Sequence, residues 1–457
     1  MKNVCLLLCL FFYKNLAAQN FRPLRADDDF SYLKNDSTRH RNFYKKLKYS
    51  TLGEKKAVQH SLGGELRVQH QFFRNEDWGE VPSDRAGFLL TRAMLHSDWH
   101  LGKRWRVFGQ LTSNFEAGRA DPNKRGIDQN PLDLHQFFAD FQVKKRENTA
   151  AWLRLGRQEM LYGSQRLVSV REGPNVRQTF DGGKFVFQKN GLRADAFFTW
   201  FVPTRPLGVF DDPFDARQNQ RLWGAYLVKN QVPFFKNLDF YYLGYRSPRR
   251  RYDEGTAQET RHSVGTRIWG KTARWNWDFE ALGQWGEFGG GQVRAWTLSS
   301  NTRFSATRRA VLGLKTEVIS GDRRAGDGRL ESFNPLFPRG GYFGLAALVG
   351  PSNLFDLHPS LSLELSPRLS FEADFDVFWR LSLGDGIYGP VGQFVRSGQA
   401  TRARRIGEQW TAQLEWQPNP FLKLGLEAAY FHAGPFLRTS GAGENLFFTA
   451  ATAGLKF

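Results

Sequence analysis

From about His60 to the last residue, apolar and polar side chains alternate with period two. Leu89, Thr91, Ala93 and Leu95 share one parity, and Arg92, Met94, His96 and Asp98 share the other. Trp275, Trp277, Phe279, Ala281 and Trp285 alternate with Asn276, Asp278, Glu280 and Gln284, and Leu369, Phe371, Ala373, Phe375 and Val377 with Glu372, Asp374, Asp376 and Arg380. Successive side chains of a strand point to opposite faces, so this pattern predicts strands with one apolar and one polar face. A soluble sandwich and a membrane barrel would both bury one such face. Three features favour the barrel. Many runs are 10–16 residues long, above the roughly 5–6 of globular sheets and suited to a tilted span of about 9–11 residues. Connections alternate between short ones (Gly102-Lys103, Lys189-Asn190, Lys271-Thr272, Pro367-Arg368, Pro418-Asn419) and long ones (117–131, 159–175, 203–218, 321–354, 383–401, 432–445), the layout of periplasmic turns and extracellular loops. The final run places Phe447, Thr449, Ala451, Ala453, Leu455 and Phe457 on one face.

Eighteen runs can be counted, near 60–74, 85–100, 104–116, 133–144, 150–158, 176–188, 191–202, 219–230, 236–246, 258–270, 273–286, 291–304, 309–320, 355–365, 369–382, 402–416, 420–431 and 446–457. The expected fold is all-β: a single transmembrane antiparallel β-barrel over 60–457 with both termini on the periplasmic side. A barrel of that size leaves an aqueous lumen. Ahead of it, residues 1–18 read as a signal peptide, with Lys2, the apolar run Val4 to Tyr13 and the small-residue site Leu16-Ala17-Ala18. Cys5 and Cys9 both fall there, so the mature chain lacks disulfides and thiolate chemistry. Residues 19–59 are polar and basic, including Lys45, Lys46, Lys48, Lys55 and Lys56. They read as a periplasmic lead-in that plugs the barrel, docks a partner such as periplasmic export machinery, or stays a solvated tail.

Composition narrows the function. The 457 residues carry 64 Lys+Arg against 45 Asp+Glu, net +19, and the mean hydropathy of -0.51 excludes a bundle of apolar membrane helices. The basic excess could meet nucleic acid, an anionic membrane surface or an acidic ligand; the export signal and barrel pattern exclude nucleic acid. A charge on the lipid face costs about 2–4 kcal/mol at the midplane, so strand charges should point inward. By parity these include Glu65, Arg67, Arg92, Arg106, Asp140, Arg154, Arg193, Asp195, Asp278, Glu280, Lys315, Glu317, Arg380, Lys423 and Glu427. Arginine-rich pore walls favour anions, and the guanidinium fork grips carboxylates in two-point fashion. Cross-strand pairing for its own sake accounts for the same residues, so the summed bias says more than any single arginine. Outer-membrane lipid would cover the apolar face. Arg249-Arg250-Arg251, in an expected outer loop, would meet lipopolysaccharide or sugar, and the chain is expected to act as a monomer.

Other chemistries fit poorly. His96 and His100 lie four residues apart on one strand, about 13 Å at 3.3 Å per residue, too far to share a metal. Neither His96-Ser97 nor Asp356 with His358 has a nucleophile elbow, so no enzyme, cofactor or metal is expected. The acidic residues near Gly321 to Gly328 lack the spacing of a calcium-binding EF-hand loop.

Several strings resemble the alginate export family: LGGELRVQHQFF at 62–73, RAMLHSDWHLGKRWRVFGQLTSNFEAGR at 92–119, LDLHQFFADF at 132–141, RLGRQEMLYGSQRLVSVREGPNVRQTFDGG at 154–183, FNPLFPRGGYFG at 333–344 and GPSNLFDLHPSLSL at 350–363. The resemblance implies an eighteen-stranded outer-membrane barrel with an arginine-lined conduit for an anionic polysaccharide. It makes Arg157, Arg166, Arg171, Arg177 and Asp181 candidates for the constriction, with Arg67 and Arg92. Alternation puts Arg154 on the lumen side and Arg157 off it, unless a bulge at Gly156 reverses the parity or Arg157 lies above the bilayer. The expected function is a passive channel for an alginate-like polysaccharide or sugar acid, its mouth gated by loops 117–131, 159–175 and 321–354. The alternatives are a general anion porin for small solutes and a non-conducting surface receptor or structural barrel.

Overall fold

The computed structural model describes residues 21–38, 41–53, 57–82, 86–121, 123–214 and 219–457. The expected signal peptide, and Lys55 and Lys56, lie outside these. Among the described residues, eighteen strands form one closed antiparallel barrel. The first six are β1 (Val58–Arg74), β2 (Phe88–Leu101), β3 (Trp105–Ala117), β4 (Asn130–Arg146), β5 (Thr149–Gln158) and β6 (Phe180–Lys189). Then come β7 (Leu192–Phe201), β8 (Arg221–Val232), β9 (Lys236–Tyr252), β10 (Gly255–Lys271), β11 (Trp275–Phe288) and β12 (Gly291–Ser305). The last are β13 (Ala310–Ile319), β14 (Leu354–Ser366), β15 (Leu369–Trp379), β16 (Arg405–Trp416), β17 (Leu422–Ala433) and β18 (Leu446–Lys456). β18 closes on β1, with Glu65 opposite Lys456 and Arg74 opposite Phe447.

The alternation sets the two faces. On β1, Leu66 and Val68 are exposed while Glu65, Arg67 and Gln69 are buried inward. Exposed aromatics ring both ends of the apolar band: Trp105, Trp275 and Trp416 toward the short turns, Trp285, Tyr430 and Phe447 toward the loops. Trp275 and Trp285 lie on one strand, ten residues and about 33 Å apart along it, or about 25 Å of height at the usual tilt, which matches the lipid-facing band of such barrels.

Three departures from the sequence reading bear on function. On the loop side, β9–β10 and β11–β12 are joined by two-residue turns at Asp253-Glu254 and Gly289-Gly290. Arg249-Arg250-Arg251 therefore belong to the end of β9, where the register shifts between Ser247 and Arg250, and not to a loop; the shift breaks the alternation that would have marked them as strand. Second, the loops at 159–179 and 320–353 fold down into the barrel, so the expected open lumen is crossed by chain. They pair with each other, Val168 bridging Phe337 in parallel, with Phe337 N donating to Leu167 O and Ser169 N to Phe337 O. Met160, Leu167, Phe333, Phe337 and Phe343 pack against inward Phe197, Tyr241, Tyr245, Phe378 and Phe431 in one apolar cluster. Third, the lead-in is ordered where described. A short helix, Phe43–Lys48, precedes a strand, Ser50–Leu52, that pairs with β1. Both the stretch from Pro23 to Asp28 and Lys48 of the lysine-rich part enter the barrel end, Lys48 being fully buried with Nζ donating to Leu62 O. Arg25 Nη1 donates to Gly64 O and Nη2 to Phe457 O, and Ala26 packs against Phe108 and Phe138.

Candidate functional site

Four groups of charged side chains hold ten of the twelve residues singled out from the sequence. Nearest the lead-in, Arg106 and Arg154 flank Asp140. Arg154 grips it with Nε at 2.7 Å and Nη2 at 2.8 Å and stacks 3.7 Å above the Phe138 ring. Arg106 donates to Asp98 at 2.7 Å and to the Ala26 carbonyl. Beside them Arg193 forks onto Asp195 at 2.8 and 2.9 Å.

The second group surrounds Glu172, on the 159–179 loop. Arg92 of β2 binds both Glu65 and Glu172, the latter at 2.5 Å. Arg177 Nη1 lies 3.0 Å from Glu172 and its Nε 2.7 Å from Glu159, and Nη2 donates to the Pro23 carbonyl. Arg67 Nη1 lies 3.8 Å from Glu172 and the guanidinium donates to Gly173 O and Pro174 O. Three arginines, from two strands and a loop, thus converge on one carboxylate. The Glu172 side chain is nevertheless 49% exposed, facing the lumen, whereas those of Arg92 and Arg177 are 1–2% exposed. Withdrawal from bulk water would raise its pKa, but Arg92, Arg177 and Arg67 outweigh that and hold it well below the usual carboxylate range.

Across the lumen, Arg166 donates to Glu280 at 3.1 Å and to the Tyr342 hydroxyl at 2.7 Å, and lies 2.8 Å from Glu317. Lys315 Nζ sits 3.3 Å from Glu317 and over the Tyr342 and Phe343 rings. Arg166, Lys315, Glu317 and Tyr342, with Ser164, Asp278, Asn301 and Arg339, line a polar cavity of about 220 Å³.

The remaining candidates lie elsewhere. Arg157 shares its face with Leu155 and Phe137, which are 56% and 55% exposed, so it points outward. It pairs with Asp181 at 2.8 Å and Asp133 at 3.2 Å, and the loop after β7 folds over it, Asp211 O accepting from Nη2. The register from Asp140–Arg154 to Phe137–Arg157 is unbroken, so no bulge at Gly156 reverses the parity. The structure therefore places Arg157 and Asp181 at the outer rim, away from the lumenal constriction. Arg171 donates to Val176 O within its own loop, and Arg380 to the carbonyls of Leu383, Asp385, Gly398, Thr401 and Ala403. Burial pulls the pKa of each down to about 10.

Alternation could not find Glu172, Glu159 or Arg339, because they sit on loops without period. The one available signal was their presence inside the strings at 154–183 and 333–344 that carry the resemblance.

A closed barrel with aromatic girdles, short turns at one end and a polar lumen crossed by loops is a porin-class barrel of the Gram-negative outer membrane. The sequence signature of the alginate export family matches residues 58–447, and the chain belongs to that family. No curated protein sequence matches it. Similar solved structures include OccAB1 of Acinetobacter baumannii, 12% identical with TM-score 0.60, covering 90% of this chain and 99% of that one. OccK2 (OpdF) of Pseudomonas aeruginosa in complex with glucuronate is 13% identical with TM-score 0.56, covering 88% and 98%. OpdK of Pseudomonas aeruginosa with vanillate is 10% identical with TM-score 0.55, covering 87% and 98%. At such identities the likeness shows the shared barrel fold.

Proposed function

We propose that the protein is a passive outer-membrane channel for an anionic sugar, an acidic polysaccharide or its sugar-acid units. One observation carries the reading: Glu172, a lumen-facing carboxylate held by Arg67, Arg92 and Arg177. The protein's own acid occupies the place that the carboxylate of a sugar acid would take. A passing carboxylate can exchange with it arginine by arginine, so no step requires an unpaired buried guanidinium. Binding at each station is then weak enough for release, as conduction needs. Membership of the alginate export family supports a polymeric cargo.

A second reading, a porin for small acids, draws on the lumen itself. The cavity of about 220 Å³ beside Arg166 and Lys315 is smaller than the roughly 300–1,000 Å³ of drug-sized ligand pockets, and suits one small acid better than a threaded chain. Two of the similar barrels were crystallised with glucuronate and vanillate, both small carboxylates. Single-channel recording in planar bilayers separates the two. Anion-selective current blocked by polyuronate supports the polymer conduit. Anion current indifferent to polyuronate, with glucuronate flux into liposomes, supports the small-acid porin. Cation selectivity, or no current, defeats both.

A further inference from the structure

We propose that the inner wall at β14 and β15 binds a divalent transition cation of the Zn²⁺ or Mn²⁺ type through His358, Asp374 and Asp376. The two aspartates are two residues apart on β15, so both project to the lumen face, and His358 projects to the same face of the adjacent strand. One ligand atom from each lies within 4.8 Å of the other two. Ligands held about 2.0–2.2 Å from Zn²⁺ are about 3.4 Å apart in a tetrahedral site, within reach of small side-chain rotations. One imidazole with two carboxylates is a donor set for borderline cations.

The second observation is a set of carboxylates left without donors. Asp376 is 0% exposed, and neither of its oxygens accepts a hydrogen bond from any described residue. The same holds for Asp356, on β14 beside His358 and also 0% exposed. Buried carboxylates are normally hydrogen-bonded, paired or bound to metal. His358 does not meet the need. Its Nδ1 lies 2.5 Å from Asp376 and its Nε2 3.5 Å from Asp374, yet the Asp376 contact lacks hydrogen-bond geometry. Lys315, across from His358 on β13, is turned to Glu317 and the rings of Tyr342 and Phe343.

Asp374 and His358 are the less buried members, with side chains 12% and 16% exposed, so a fourth coordination position would open to the lumen. The His96 and His100 pair, four residues apart on one strand, offers no such convergence.

The test uses the full-length, tagless protein in detergent micelles, stripped with EDTA and titrated with Zn²⁺ alone, bound metal being measured after desalting. The wild type should retain about one equivalent. H358Q and D374N, at the partly exposed positions, should each bind at least tenfold more weakly. If D376N fails to fold, these two carry the comparison, and Co²⁺ added to the stripped protein should give a visible-region absorption that H358Q abolishes. A wild type that retains no Zn²⁺, or H358Q and D374N chains that retain as much as wild type, would overturn the assignment. Metal content is read independently of conductance, so the outcome does not depend on the transport reading.

Discussion

Replacing Glu172 by Gln tests the carboxylate-exchange reading most directly. The change removes one negative charge from a site where Arg92, Arg177 and Arg67 lie 2.5, 3.0 and 3.8 Å from it, while Glu65 and Glu159 keep their partners. An anion approaching these guanidinium groups in the wild type meets the Glu172 charge about 4 Å away. Two charges at that distance repel by about 4 kcal/mol at a protein-surface effective dielectric of about 20 and by about 1 kcal/mol in water. The Glu172 side chain is half-exposed to the lumen, so the relief lies between those limits, about 2 kcal/mol, or roughly 30-fold in affinity at 1.4 kcal/mol per tenfold.

The assay is single-channel recording with glucuronate or short polyuronate on one side, giving block affinity and, from reversal potentials, the anion-to-cation permeability ratio. E172Q should show tighter block with longer dwell times and higher anion selectivity. E415Q is the control, because Glu415 faces the lumen on β16 and pairs with Lys423 at 2.6 Å, outside the arginine group. If E172Q changes block no more than E415Q, or weakens it, Glu172 does not stand where the cargo carboxylate passes.

The other predictions concern single groups. Arg154→Ala leaves buried Asp140 with only Arg106, 3.5 Å away, and should lower stability by about 3 kcal/mol, the low end for a broken buried pair, read as an earlier transition on heating in detergent; Arg157→Ala, at the outer rim, should leave anion selectivity unchanged in reversal-potential measurements. Deleting residues 21–29 removes the contacts of Pro23, Arg25 and Ala26 with Arg177, Gly64, Phe457 and Arg106 and should raise single-channel conductance; an unchanged conductance would mean that the segment does not obstruct the path. Burial lifts Asp322 to about 7 and Asp385 to about 6 from 3.8. The folded loops therefore bind protons that the unfolded chain has released, and stability falls as pH rises from about 4 to 7 and is flat above. Hydrogen exchange in 320–353 and 380–404 should accelerate across that window, and D385N should flatten the dependence.

The strands were legible because lipid enforces the alternation on one face: the run expected at 309–320 is the strand Ala310–Ile319, and that at 273–286 is Trp275–Phe288. Parity also placed Arg154 inward and Arg157 outward, where similarity of strings had grouped Arg157 with the constriction. The inward fold of the loops was not legible, since loop residues carry no period and their packing partners are the inward faces of distant strands. One trace of it was present. Residues 238–245 are apolar at nearly every position of both parities, with Phe240 exposed to lipid and Tyr241, Leu243 and Tyr245 buried inward. A solvated lumen wall has no use for those three rings and chains; they are the seat of Phe337 and its neighbours. The His358, Asp374 and Asp376 cluster escaped notice for a related reason. Each reads as an ordinary polar-face residue, and only the pairing of β14 with β15 brings them together.

The position of the basic excess bears on how such a channel would work. In the lumen nearly every candidate arginine already has a carboxylate, so the wall presents exchangeable pairs more than free positive charge. Among the described residues, exposed cations outside any ion pair stand at both ends of the barrel, at Lys103, Arg104, Lys144, Lys145, Arg146, Lys271, Arg274, Arg308 and Arg309 on the short-turn rim and at Arg74, Arg246, Arg249, Arg251, Arg294, Arg324 and Arg329 on the loop side. These two placements do different work for an anionic cargo. Exposed cations at either end raise the local concentration of anions at both mouths, and their reach shrinks with salt over a Debye length of about 8 Å at physiological strength. Paired arginines inside would trap nothing, because each carboxylate that enters displaces one that leaves. Capture should therefore be strongly salt-dependent while the dwell time of a bound sugar acid, set by the buried pairs, should change little. Recording block on-rates and off-rates from 0.05 to 0.5 M salt distinguishes this division of labour from a uniformly charged pore, in which both rates would move together.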